Sequence, residues 1–305
     1  MELFNILFNT ILSMFVIIGV GALTYKLKLL TESYMVGINS LLINLILPCL
    51  IISNFCIGYT KEIFNNLLIT FGLGAITYLI SAILAYVLYK KDHNLERFGI
   101  IFANTGFIGI AIVGPVLGQE YIVYMSSHLM LIYILVWTLG SYTLTNTNKY
   151  ISIKNLLKNP TLNSCFIGLF IFLLNIDVPD IILNPLLQVG NASTPISLII
   201  MGCYVVKSGV LSGIKNLSIY YVSFIRLILC PVIMGFILFL VPNEYYELKM
   251  MTLITAATPV GANMVVFAQL FNKSPEKASL YVVYSTILCL ITLPIIVTIF
   301  SNLWV

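Results

Sequence analysis

Charged side chains are scarce in this sequence, with 15 Lys and Arg and 11 Asp and Glu among 305 residues, or 9%. A soluble domain carries about 25%. Inside the long apolar blocks there is no Asp or Glu except at a block end, which excludes an intramembrane aspartyl protease with its two embedded carboxyls. Histidine is limited to His93 and His128, so no H-E-x-x-H zinc site can form. No G-x-S-x-G nucleophile elbow is present either. The six cysteines, Cys49, Cys56, Cys165, Cys203, Cys230 and Cys289, make no C-x-x-C pair and have no histidine nearby, which argues against a metal or redox centre and for small buried apolar residues. The net charge of +4 is spread over short loops and forms no nucleic-acid-binding stripe. These absences leave no metal site, no cofactor and no enzyme class to build on.

What the chain has is apolar length. Hydrophobic residues make up 60% of it, in blocks of about 20 or more, each able to cross roughly 30 Å of hydrocarbon at 1.5 Å per residue. The expectation is an all-α membrane protein of ten transmembrane helices. They run roughly over 3–25, 34–55, 63–89, 97–117, 121–145, 160–176, 181–206, 217–241, 248–271 and 277–301. The first block is preceded by Glu2 and followed by Lys26 and Lys28, the reverse of a secretory leader, and reads as a permanent span. Loops after the odd spans hold Lys26, Lys28, Lys90, Lys91, Arg97, Lys149, Lys154, Lys158, Lys207, Lys215, Lys273 and Lys277, whereas the other side holds Lys61 and Lys249. Basic loops stay cytoplasmic, so both termini are expected outside.

An even span number permits two five-span halves of inverted topology, 1–145 and 160–305, joined by a cytoplasmic loop, 146–159. Prolines punctuate matching positions, Pro48 in the second span and Pro195 in the seventh. The fourth span is interrupted at Ala103-Asn104-Thr105-Gly106-Phe107-Ile108-Gly109 and the ninth at Ala257-Thr258-Pro259-Val260-Gly261-Ala262-Asn263. Unwound backbone is tolerated in hydrocarbon only where it lines a cavity or is covered by protein. Two matched breaks therefore point to a binding site near the midplane, where half-helix N-termini favour an anion. The alternative is that the glycines serve packing and the prolines only kink.

The fourth-span run and, more specifically, the stretch from Pro259 to Phe271 resemble the auxin efflux carrier family. Its continuation through Asn272, Pro275 and Ser279, and later Thr292 and Pro294, is similar to the same family. Bacterial members are described as malate or other carboxylate permeases, and plant members export indole-3-acetate. The resemblance implies a 5+5 inverted repeat with crossed, broken helices 4 and 9, related to the bile acid symporter fold, and a homodimer in a bacterial cytoplasmic membrane. It further implies that spans 1, 2, 6 and 7 form a scaffold for a mobile unit of spans 3–5 and 8–10, with elevator-type transport. By position, Asn104 matches the asparagine that receives the substrate carboxylate and Pro259 the crossover proline. Ala103 stands where plant carriers have a second proline, implying a milder break held by Gly106 and Gly109. His128 and Tyr133 occupy the positions of a pocket glutamine and tyrosine, and Ile51 replaces a serine that follows the proline matched by Pro48.

The candidate substrate-binding residues are thus Asn104, Thr105, His128, Tyr133, Arg226, Pro259 and Asn263, with Pro48, Gly106, Gly109, Pro195, Pro259 and Gly261 as helix-break or hinge positions. Asn104 and Thr105 offer an amide and a hydroxyl to a carboxylate, and Asn263 is the pseudo-symmetric counterpart. His128 has two readings, proton coupling or a neutral ring hydrogen-bonded between helices. Arg226, with no acid at its depth, either braces carbonyls, snorkels or meets an anionic substrate. The leading function is a carrier for a small organic anion. A sodium-coupled symporter of the bile acid type and a transporter-like sensor are the alternatives, with H+ or Na+ as conceivable coupling ions.

Overall fold

An amide in hydrocarbon has no water to bond, so a spanning segment must close its hydrogen bonds internally. The computed structural model describes residues 2–151, 157–209 and 213–304, and the regular elements among them are helices. Lys154, one of the loop cations, lies outside the described residues. In chain order the helices are α1 (Glu2–Lys26), α2 (Glu32–Phe55), α3 (Lys61–Leu88), α4 (Asn94–Ile101), α5 (Thr105–Leu117), α6 (Gln119–Thr145), α7 (Pro160–Leu173), α8 (Asp180–Lys207), α9 (Leu217–Leu240), α10 (Tyr246–Ala256), α11 (Asn263–Leu270) and α12 (Pro275–Leu303).

Seven of these, α1, α2, α3, α6, α8, α9 and α12, are long and apolar enough to cross a membrane by themselves. That is fewer than the ten spans expected, for a visible reason. The fourth and ninth positions are each divided into two short helices, and α7 has 14 residues, short of the roughly 20 that a full crossing needs. Helix starts follow local chemistry. Thr60 Oγ1 accepts from Ile63 N at the head of α3, and Asn159 Oδ1 accepts from Leu162 N at the head of α7, where Pro160 occupies the first turn.

The expected break at Pro48 is instead a bulge. A π turn over Leu42–Ile46 precedes Pro48 and α2 continues to Phe55, so the wider turn absorbs the ring that an α-helix would reject. Pro195 lies in the first turn of the second segment of α8, Ser193–Lys207, which follows a kink at Ala192. A missing N–H is tolerated there.

Two groups of helices emerge from the packing. The second half of α8 lies along α1, while α7 and the first half of α8 pack on the Pro48 end of α2. In the other group α3 packs on α4 and α6, and α12 on α9, α10 and α11, while α1 also packs on α12 and α7 on α6 across the two groups. Along α1, Leu7, Ile11, Met14 and Ile18 are buried at alternating steps of four and three, whereas Val16, Val20 and Leu23 are exposed, as expected for a helix with one face in protein and one in lipid. The α1–α8 seam is backbone against backbone. A Cβ added at Gly21 would run into the Ile199 carbonyl, and one at Gly202 into the Ile18 carbonyl, the close approach that small residues allow between membrane helices. Gly202→Leu should therefore separate the two helices and destabilise the protein by about 3 kcal/mol. Its unfolding midpoint in detergent is expected to fall by several degrees, and an unchanged midpoint would remove this seam as a stabilising element.

Candidate functional site

At the fourth-span position α4 ends at Ile101, Phe102 is extended, and Asn104 leads into a π turn over Thr105–Gly109. The break is complete, not milder, although no proline is present. Its cause is the partner strand. Ala103 and Val260 form an isolated antiparallel bridge, with Asn104 N donating to Pro259 O at 2.8 Å and Gly261 N donating to Phe102 O at 2.8 Å. Backbone groups that α4 cannot satisfy internally are thus satisfied across the two breaks. Gly261 is needed for closeness, since a Cβ there would sit 3.0 Å from Ala103 O. Gly106 and Gly109 give room for packing, since a Cβ would press on Leu129 at 3.3 Å and on Met125 at 3.1 Å, respectively. Ser285 Oγ of α12 accepts from Val260 N at 3.1 Å and fixes the second break from behind.

Asn104 is 2% exposed, and its carbonyl accepts from Ile108 N and Gly109 N. Its side-chain Nδ2 has no hydrogen-bond partner among the described residues. A buried donor left unpaired costs about 1–3 kcal/mol. Thr105, also buried, opens the π turn beside it.

Arg226 is fully buried on α9 and does not snorkel. Its Nε donates to Thr258 O at 3.2 Å, Nη1 to Ser81 Oγ at 3.2 Å and to Ile100 O at 3.1 Å, and Nη2 to Ala256 O. The guanidinium therefore covers the C-terminal carbonyls of α4 and α10, where the helix dipoles are negative. The N-terminal, positive ends of the π turn at Thr105 and of α11 have no acidic residue in their first turns.

His128 on α6 is buried between helices. A carbonyl can only accept, so Nε2 carries the proton and donates to Thr70 O at 3.0 Å, while Nδ1 faces the Thr255 hydroxyl at 3.2 Å. The ring thereby ties α6 to α3 and α10, and Gly74 makes room for it, since a Cβ there would meet His128 Cδ2 at 2.9 Å.

A cavity of about 580 Å³ opens between the two helix groups. Of the sequence-predicted residues, Tyr133 and Asn263 line it; Asn104, Thr105, His128, Pro259 and Arg226 do not. Phe107 and Ala262, which follow the two breaks, form part of its wall, so the breaks lie beneath one end. Residues that sequence reasoning passed over complete it, among them Asn39, Trp137, Lys158, Ser197 and Tyr204. Apart from the loop residue Lys158, the polar ones are interruptions in apolar blocks, a signal too common to rank without knowing which faces meet. Among the described residues no cluster of three His, Cys, Asp or Glu is placed to hold a metal ion.

Away from the breaks, Glu96 in the first turn of α4 accepts from Lys277 Nζ at 2.7 Å, Tyr281 Oη at 2.7 Å and Ser218 Oγ at 3.3 Å. Burial works to raise its carboxyl, but the hydrogen bonds from Lys277 and Tyr281 outweigh it and hold the group below its ordinary value of 4.5. The unfolded chain then binds this proton more readily than the folded one. Glu96 contributes stability in full above its unfolded value, and the contribution is lost as pH falls through the lower folded value. Glu96→Gln is expected to lower the unfolding midpoint at pH 7 and to leave a shallower loss between about pH 5 and 3. Equal slopes for both proteins over that window would contradict this assignment.

No curated protein matches the chain. The sequence profile of a family described as membrane transport protein matches over residues 6–155 and 145–297. Taken together the two matches extend from residue 6 to residue 297 of the 305, and with its membrane-spanning helices the chain belongs to this family of membrane transport proteins.

Proposed function

We propose that the protein is a carrier for a small organic anion, a carboxylate of malate-like or auxin-like kind, bound where the two helix breaks meet. The observation that carries this reading is the buried Asn104 Nδ2, a donor without an acceptor among the described residues at that meeting point. The electrostatics support it. Arg226 covers the negative helix ends, leaving the positive ends and an amide donor for an anion. The sodium-coupled alternative is less favoured, because carbonyls suited to a sodium ion, those of Ile100, Ala256 and Thr258, already accept from the guanidinium.

In this reading α4 with α5 and α10 with α11 are the crossed fourth and ninth spans of a ten-span, 5+5 inverted repeat, its halves being 1–145 and 160–305. Helices α1, α2, α7 and α8 form the scaffold and α3–α6 with α9–α12 the moving unit of an elevator, a division supported by the two packing groups. Lys158 at the cavity and the other basic loops face the cytoplasm of a bacterium, with both termini outside. A homodimer through the scaffold follows from the resemblance to auxin efflux carriers. The test is solid-supported-membrane electrophysiology on proteoliposomes with a panel of mono- and dicarboxylates, in sodium and pH series. A carboxylate-evoked current that persists without sodium is expected. If no carboxylate evokes a current or a thermal shift, the anion carrier is refuted.

A further inference from the structure

Beside the 580 Å³ cavity lies a smaller chamber of about 310 Å³, between α2, α8 and α11. The two share Asn39, Ile43, Asn44, Tyr204 and Val266 as walls, and a 3.0 Å hydrogen bond from Asn39 Nδ2 to Tyr204 Oη stands between them. The smaller chamber is mostly apolar, with a few polar groups set into it. Ser40, Asn39, Asn44 and Gln269 offer hydroxyl and amide groups, and its charged lining consists of one cation and one anion, Lys207 and Glu32. These two form an ion pair at 3.1 Å, with Glu32 63% and Lys207 30% exposed.

We propose that Lys207 is an outer loading subsite for carboxylates, at which the incoming solute displaces Glu32 from the ammonium before passing the Asn39–Tyr204 pair toward the breaks. This rests on the anion-carrier reading above. The chemistry is an exchange of like for like. Glu32 presents the same functional group as the proposed solute, and the more exposed partner of a surface ion pair is held weakly enough to be replaced. Beside Lys207, the amides and hydroxyls supply neutral donors, and Lys158, an exposed loop residue at the edge of the larger cavity, supplies a second positive charge. Glu32 is thus a built-in competitor, keeping Lys207 occupied until a carboxylate arrives.

A competitor and a receptor must respond oppositely to neutralisation, whereas the two halves of a merely structural ion pair respond alike. Currents evoked by malate and by indole-3-acetate would be compared for wild type, Lys207→Gln, Glu32→Gln and the double variant, with unfolding midpoints measured alongside. Lys207→Gln is expected to raise the half-saturating concentration about fivefold and Glu32→Gln to lower it about threefold, both effects shrinking at about 1 M KCl. The double variant should resemble Lys207→Gln, and Lys207→Arg should retain wild-type saturation. Shifts in the same direction for the two single variants, or no shift in either, would overturn the subsite while leaving the carrier intact. Absence of any current from wild type would instead fell the carrier reading, and the subsite with it.

Discussion

Asn104→Ala is expected to abolish carboxylate-evoked current while leaving the protein folded. A hydrogen bond to a charged acceptor contributes about 2–3 kcal/mol in a dry site, so its removal weakens binding roughly 30- to 150-fold. Ordinarily such a substitution in a membrane interior would also weaken the fold. Here it should not, because Nδ2 has no partner to lose among the described residues, and truncation removes a buried unpaired donor. The unfolding midpoint of Asn104→Ala should equal or exceed that of wild type. Asn104→Asp should be as inactive, since it sets a carboxylate against the anion. A full-sized current from Asn104→Ala would rule out the amide as the anion's donor.

Arg226→Met should behave in the opposite way, losing the fold before function can be measured. The thioether fills much of the volume but leaves the carbonyls of Ile100, Ala256 and Thr258 and the Ser81 hydroxyl without their donor. At about 1–3 kcal/mol for each unsatisfied buried group, the sum approaches the roughly 5–15 kcal/mol that holds a whole domain together. No monodisperse peak in size-exclusion chromatography is expected. Arg226→Lys should recover part of the loss, because an ammonium keeps the charge and three donors but not the planar fork. A monodisperse Arg226→Met with a wild-type midpoint and weakened carboxylate response would show that the guanidinium serves the solute and not the break.

Much of this architecture was legible in the sequence because hydrocarbon imposes a simple length rule. Helix limits such as Lys61–Leu88 and Pro275–Leu303 lie within a few residues of the apolar blocks. The breaks at Asn104 and Pro259 were legible as polar and helix-breaking residues where a continuous helix would be cheapest. Helix faces were not. In lipid both faces are apolar, so Leu7 and Val16 of α1 look alike in the sequence although one is buried and the other exposed. For the same reason the cavity wall was missed at Asn39, Trp137 and Tyr204. The severity of the first break is not legible from the missing proline at Ala103, because main-chain bonds to a segment more than 150 residues away decide its conformation. Arg226 could be singled out by its charge, but its carbonyl partners come from two distant helix ends that only the fold brings together.

The bridge between Ala103 and Val260 has a consequence for how such a carrier can diverge. Its two bonds, Asn104 N to Pro259 O and Gly261 N to Phe102 O, involve main-chain atoms alone. They constrain few side chains, chiefly Gly261 through its close approach to Ala103. The frame of the site is therefore nearly indifferent to the residues hung on it. Side chains around the bridge can be exchanged without rebuilding the frame. Selectivity is free to drift on an inherited backbone.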